Sequence, residues 1–140
     1  MKTKHQTAHM RAAHLYSDLS TARRLKVGAL VVKDDRIISI GYNGMPKGWD
    51  NNCEIEQPDG TLKSKLEVLH AETNAIAKLA RSNESGLDAD LFVTHSPCLD
   101  CAKLIYQAGI RRVYYSVNYR DDSGVNFLKN SGVEVEQLDV

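Results

Sequence analysis

The chain has 140 residues, 42% hydrophobic and 26% charged, and its 18 basic and 18 acidic side chains cancel to zero net charge. That length supports one domain, residues 1–140, with a core of sheet and helices. The neutral balance argues against wrapping a nucleic-acid polymer, which usually needs a basic surface. No apolar run approaches the ~18 residues of a membrane span. The start, Met1-Lys2-Thr3-Lys4-His5-Gln6, lacks the apolar core of a secretory leader, so a cytoplasmic location is expected.

In chain order, residues 5–19 contain no Pro or Gly and place Ala8, Ala12, Leu15 and Leu19 on one stripe, which predicts a helix. Val27 to Val32 and Arg36 to Tyr42 read as two strands joined at Lys33-Asp34-Asp35, a β-hairpin. Residues 43–65 are rich in Asn, Gly, Pro and Asp and lack periodicity; they read as a long loop, a kind that is more often functional than idle. A helix over 70–81, a strand over 91–94, a helix over 98–108, a strand over 112–117, a helix over 125–130 and a last strand over 133–137 complete the chain. Strands alternating with helices in the second half predict a three-layer α-β-α fold. Its mixed five-stranded sheet would be covered by helices on both faces.

Three cysteines cannot pair fully, and Cys98 and Cys101 stand at the Cys-x2-Cys spacing of metal or redox chemistry. Upstream lies His70-Ala71-Glu72. One imidazole and two thiolates make three ligands for a zinc ion that prefers four, leaving a position for water, as in catalytic sites. His70 and the cysteine pair each fall at the start of a predicted helix, where the positive dipole end favours thiolates. Glu72 is placed to move protons to and from a water acidified by the metal, and is not itself a ligand. A fourth protein ligand, making the site structural, would have to be Cys53 or His95; a structural zinc knuckle or a redox pair is the alternative. His95 is expected at the pocket rim. His5, His9 and His14 include an i,i+4 pair with no third metal partner in view, which reads as a solvated face. The first 26 residues carry six Lys/Arg against Asp18, and of these Arg24 and Lys26 abut a strand entering the site, where they could meet a phosphate.

The pattern H-x-E…P-C-x-x-C is the signature of the zinc nucleobase deaminases. With Val27-Gly28-Ala29, Gly41-Tyr42-Asn43-Gly44-Met45-Pro46, His70 to Ile76 and Ser96 to Lys103, the chain resembles the deoxycytidylate (dCMP) deaminases within the cytidine deaminase-like superfamily. The resemblance runs from about residue 20 to residue 135. It implies zinc on His70, Cys98 and Cys101, proton transfer by Glu72, and hydrolysis of dCMP to dUMP and ammonia on the way to thymidylate. By position, the backbone around Ala71 and Ser96 would read the cytosine edge and Asn43 would contact the deoxyribose. Tyr119 would lie near the substrate pocket and Lys26 near the phosphate. The resemblance also implies a homohexamer activated by dCTP and inhibited by dTTP, with Mg2+ accompanying a triphosphate effector. The effector loop would include Met45, Lys47, Gly48, Asn52 and Glu54. The short segment between Cys53 and His70 lacks the insert that holds a second zinc in some relatives.

Alternatives are a deaminase of another cytosine nucleotide such as dCTP, or a tRNA adenosine deaminase, for which the neutral charge supplies no docking face. Riboflavin-pathway deaminases space their cysteines more widely, and small cytidine deaminases usually have cysteine at the place of His70. A structural zinc or nucleotide-sensing module without turnover would have no use for Glu72.

Overall fold

In the computed structural model, which describes residues 1–140, the chain begins with helix α1 (Thr3–Ser17) and the hairpin of β1 (Gly28–Lys33) and β2 (Arg36–Tyr42). The hairpin turn places Asp34 and Asp35 at φ of 51° and 59°, a left-handed pair that aspartate tolerates. Next come β3 (Glu54–Glu56), β4 (Leu62–Ser64), α2 (Ala71–Ala80), β5 (Asp90–His95), α3 (Leu99–Gln107), β6 (Arg112–Val117), α4 (Ser123–Asn130) and β7 (Glu134–Gln137).

Five strands form one sheet in the order β2-β1-β5-β6-β7. β1 is antiparallel to β2 and β5, and β5, β6 and β7 run parallel. Alternate residues of each strand face opposite layers. Leu30, Val32, Phe92 and Tyr114 pack with Met10 and Ala13 of α1. Ala29, Val31, Leu91, Val93 and Val113 pack with Ala71, Ala75 and Leu79 of α2, Ala102 and Ile105 of α3, and Val125 and Leu128 of α4. Phe92 and Tyr114, both essentially fully buried, stack with ring centroids 4.7 Å apart. Burying a side chain of this size contributes about 1.5–3 kcal/mol. The three-layer mixed sheet is therefore as expected.

Two sequence readings are corrected. The loop over 43–65 carries a second, two-stranded sheet, β3 paired antiparallel with β4 in the register Glu54↔Ser64 to Glu56↔Leu62. Strands of three residues are too short for a period-2 pattern to show. The stripe Ala8, Ala12, Leu15, Leu19 is not the buried face of α1: Leu15 and Leu19 are more than half exposed, whereas Met10, Ala13 and Ser17 are buried. The helix backbone rests directly on β1, so close that a Cβ on Gly28 would lie 2.9 Å from Ser17 N and nearer still to the Ala13 carbonyl oxygen. Such an approach selects small side chains rather than the most apolar ones.

Candidate active site

Two helix starts converge beside the end of β5. His70 and Cys98 occupy the N-cap positions of α2 and α3 with extended backbone, and neither side chain caps its own helix. Ser, Thr, Asp or Asn normally serves there and contributes about 0.5–2 kcal/mol. Here the side chains turn toward each other instead. His70 Nδ1 lies 3.2 Å from Cys101 Sγ and 3.7 Å from Cys98 Sγ. The donor atoms of His70, Cys98 and Cys101 all lie within 4.8 Å of one another. Cys53 and His95 stand outside that group, so the candidates for a fourth ligand are not in place.

The electrostatics suit a cation. The hydrogen bond from Cys101 holds the Cys98 thiol down to about 4, with His70 adding to the effect, and the same pairing with burial pushes Cys101 far above the thiol range. Hydrogen bonding to Cys98 raises His70. The Cys98 thiolate is thus held between two proton donors, Cys101 and His70, and a divalent ion would displace their protons and take both sulfurs. Two thiolates, one imidazole and a position left for water fit zinc.

Glu72, the second residue of α2, is buried, and burial pushes its carboxyl up to about 7. It shares a cavity of about 350 Å³ with His70, Ala71, Ser96 and Cys98, a volume suited to a small ligand. His95 lines it too, half-buried, its pKa lowered by burial and by neighbouring His14. Thr94 Oγ1 accepts the Gly28 N–H at 3.2 Å and lies 2.9 Å from His95 Nδ1, fixing that ring.

The family model for the cytidine and deoxycytidylate deaminase zinc-binding region matches residues 3–117. The chain belongs to this deaminase family. It is 38% identical to ComE operon protein 2 of Bacillus subtilis, over 94% of this chain and 69% of that protein. It is 33% identical to the deoxycytidylate deaminase of enterobacteria phage T4, over 90% of this chain and 86% of the relative. A crystal structure of the dCMP deaminase of cyanophage S-TIM5 with dCMP and dUMP superposes with a TM-score of 0.92 at 47% identity, covering 99% of both chains.

Within this deaminase fold the other expected residues fall as follows. Asn43 lines the cavity, but its amide also bridges backbone: Oδ1 accepts the Val27 N–H and Nδ2 donates to the Leu25 carbonyl, each at 2.8 Å. Tyr119 lines it as well, its N–H donated to Ser96 Oγ at 2.7 Å. Lys26 is exposed and absent from the lining, whereas Arg24 and Lys65 are part of it. Lys65 belongs to the stretch over 43–65 that reads as a long loop of the functional kind, where nothing in the sequence singles it out. Of the expected effector loop, Met45 is half-buried, Lys47, Gly48 and Asn52 are exposed, and Glu54 is buried. His5 and His9 are not simply solvated, because both rings meet the Asp35 carboxylate, His9 Nε2 at 3.0 Å. No helix is long and apolar enough to cross a membrane.

Proposed function

We propose that residues 1–140 act as one domain that hydrolyses dCMP to dUMP and ammonia. The observation that carries this reading is the pairing, in one cavity, of the His70–Glu72–Cys98 constellation with two cations that have no acidic partner, Arg24 and Lys65. Neither the Arg24 guanidinium nor the Lys65 ammonium takes part in an ion pair or hydrogen bond, and two free cations beside an apolar wall suit a nucleotide phosphate better than a neutral nucleoside. The resemblance to a cyanophage enzyme crystallised with dCMP and dUMP supports the same substrate.

In this reading His70, Cys98 and Cys101 would hold zinc, which would supply the Lewis acidity to make a water nucleophilic near neutral pH. Glu72, buried against the cavity, takes one proton of the attacking water and places it on the ring nitrogen next to the amino-bearing carbon as the C–O bond forms. It then takes the proton of that new hydroxyl and delivers it to the amino group as the C–N bond breaks and ammonia leaves. The Ala71 N–H is the first amide of α2 and so has no helical acceptor; with the Ser96 backbone it reads the cytosine edge. Asn43 touches the deoxyribose, and Tyr119 closes the pocket near it. Activation by dCTP, inhibition by dTTP, Mg2+ on the effector phosphates, a hexamer and a cytoplasmic place before thymidylate synthesis belong to the same reading as expectations from the resemblance to the dCMP deaminases.

An ultraviolet assay of the zinc-loaded protein across dCMP, dCTP, cytidine and deoxycytidine tests it. Turnover should be fastest with dCMP. Inactivity on dCMP, or a preference for the nucleosides, would overturn it.

A further inference from the structure

We infer that Glu54 is a positioning residue for recognition of the substrate's 5′-phosphate, acting through the backbone that carries Arg24. The inference rests on the dCMP reading above.

Glu54 opens β3, and its side chain is only 1% exposed. Its Oε2 accepts two consecutive backbone amides, Arg23 N–H at 2.9 Å and Arg24 N–H at 3.0 Å. Oε1 is buried without a hydrogen-bond partner, its nearest cation being Arg23 Nε at 3.5 Å. A buried carboxylate with one unsatisfied oxygen is a costly way to hold a loop. The geometry around it shows what that cost secures. Asn52 Oδ1 accepts both Arg23 Nη2 at 3.1 Å and the Glu54 N–H at 3.2 Å. The carbonyl of the preceding residue, Cys53, accepts the Lys65 N–H at 2.8 Å. The pair Cys53–Glu54 therefore fastens, on one side, the segment bearing Arg24 and, on the other, the residue bearing Lys65. These are the two unpaired cations of the cavity.

The arrangement also keeps the negative charge of Glu54 off Arg24. Its carboxylate engages Arg24 only through the backbone amide, and the guanidinium beside it belongs to Arg23, whose side chain is 56% exposed. The Arg24 backbone is thus held in place while its guanidinium, in no ion pair, stays available to an anion.

The test compares kcat/KM for dCMP with kcat/KM for deoxycytidine, which lacks only the phosphate. In Glu54→Ala the ratio should fall about tenfold, the scale of one charge-assisted hydrogen bond. Glu54→Gln keeps an oxygen that can accept both amides and should stay within about threefold of the parent ratio. Arg24→Ala should lower the ratio, and Arg24→Ala with Glu54→Ala should be no worse than Arg24→Ala alone, since both act on one contact. Equal losses on the two substrates in Glu54→Ala would mark a purely structural role and overturn the inference. So would an intact ratio in Glu54→Ala while Arg24→Ala lowers it. An intact ratio in Arg24→Ala would instead refute the phosphate reading of the cavity. Should Glu54→Ala not fold, Asn52→Ala at an exposed position substitutes: a roughly threefold fall in the ratio supports the clamp, and an unchanged ratio overturns it.

Discussion

Replacing Gly124 by alanine adds a single methyl carbon to the second residue of α4, and helix propensity alone would make the change stabilising by about 1 kcal/mol. The structure predicts the reverse. A Cβ there would lie 2.7 Å from both the carbonyl carbon and oxygen of Cys98, and closer still to the Pro97 carbonyl oxygen. Ordinary contact begins at 3.4 Å, so α4 and the Cys98 backbone must part by about 0.7 Å or more. If α4 gives way, the packing of Val125 and Leu128 is disturbed, a cost of about 1–3 kcal/mol. At roughly 4 °C per kcal/mol for a chain of this size, that is a readily measured fall in Tm. If the Cys98 segment gives way, the sulfur proposed to bind zinc moves by more than the ~0.2 Å that metal–ligand distances tolerate, and zinc affinity should drop about 10–100-fold. Thermal unfolding of the metal-free protein, together with competition for zinc against a chromogenic chelator, separates the two routes. At least one quantity must fall. A Gly124→Ala protein with parental or raised Tm and parental zinc affinity would refute the close-approach argument.

Glu72→Gln preserves size and removes the carboxylate, so zinc content should remain that of the parent while kcat for dCMP falls about 10²–10⁴-fold; near-parental turnover would remove Glu72 from the proton path. At the far end of the sheet, hydrogen bonds from His9 and His5 hold the Asp35 carboxyl below its ordinary 3.8. A depressed native pKa gives stability that is present above the ordinary value and lost as pH falls through the lowered one. Asp35→Asn, which also tolerates the left-handed turn, should lower Tm near neutrality, and the difference should fade in acid below the ordinary carboxylate range. A difference in Tm that persists unchanged there would show that the carboxylate charge is not the cause.

Much of this was legible in the residues. The alternation of strands and helices predicted the mixed five-stranded sheet, because period and turn chemistry are local properties. His70, Glu72, Cys98 and Cys101 could be read as one constellation because each falls where a helix begins, and spacing along a helix start is a sequence property. The face of α1 was not legible. Its buried side, with Met10, Ala13 and Ser17, is set by how closely the helix backbone rests on Gly28, so Leu15 faces outward despite being more apolar, and Leu19 lies beyond the end of the helix. The short β3–β4 hairpin escaped for a different reason: three-residue strands carry too little pattern.

The amino-acid sequence by itself determined which side chains could serve as metal donors and proton carrier, since the identity and spacing of His70, Glu72 and the two cysteines are covalent facts. Only the tertiary structure decided which cations line the cavity. Lys26 and Arg24 are two residues apart and equally basic, yet Arg24 lines the cavity and Lys26 does not. Lys65 arrives from forty residues downstream of that segment by way of the Cys53 carbonyl. Coulombic recognition depends on distance in space, and that distance is set here by hydrogen bonds between segments remote in the chain.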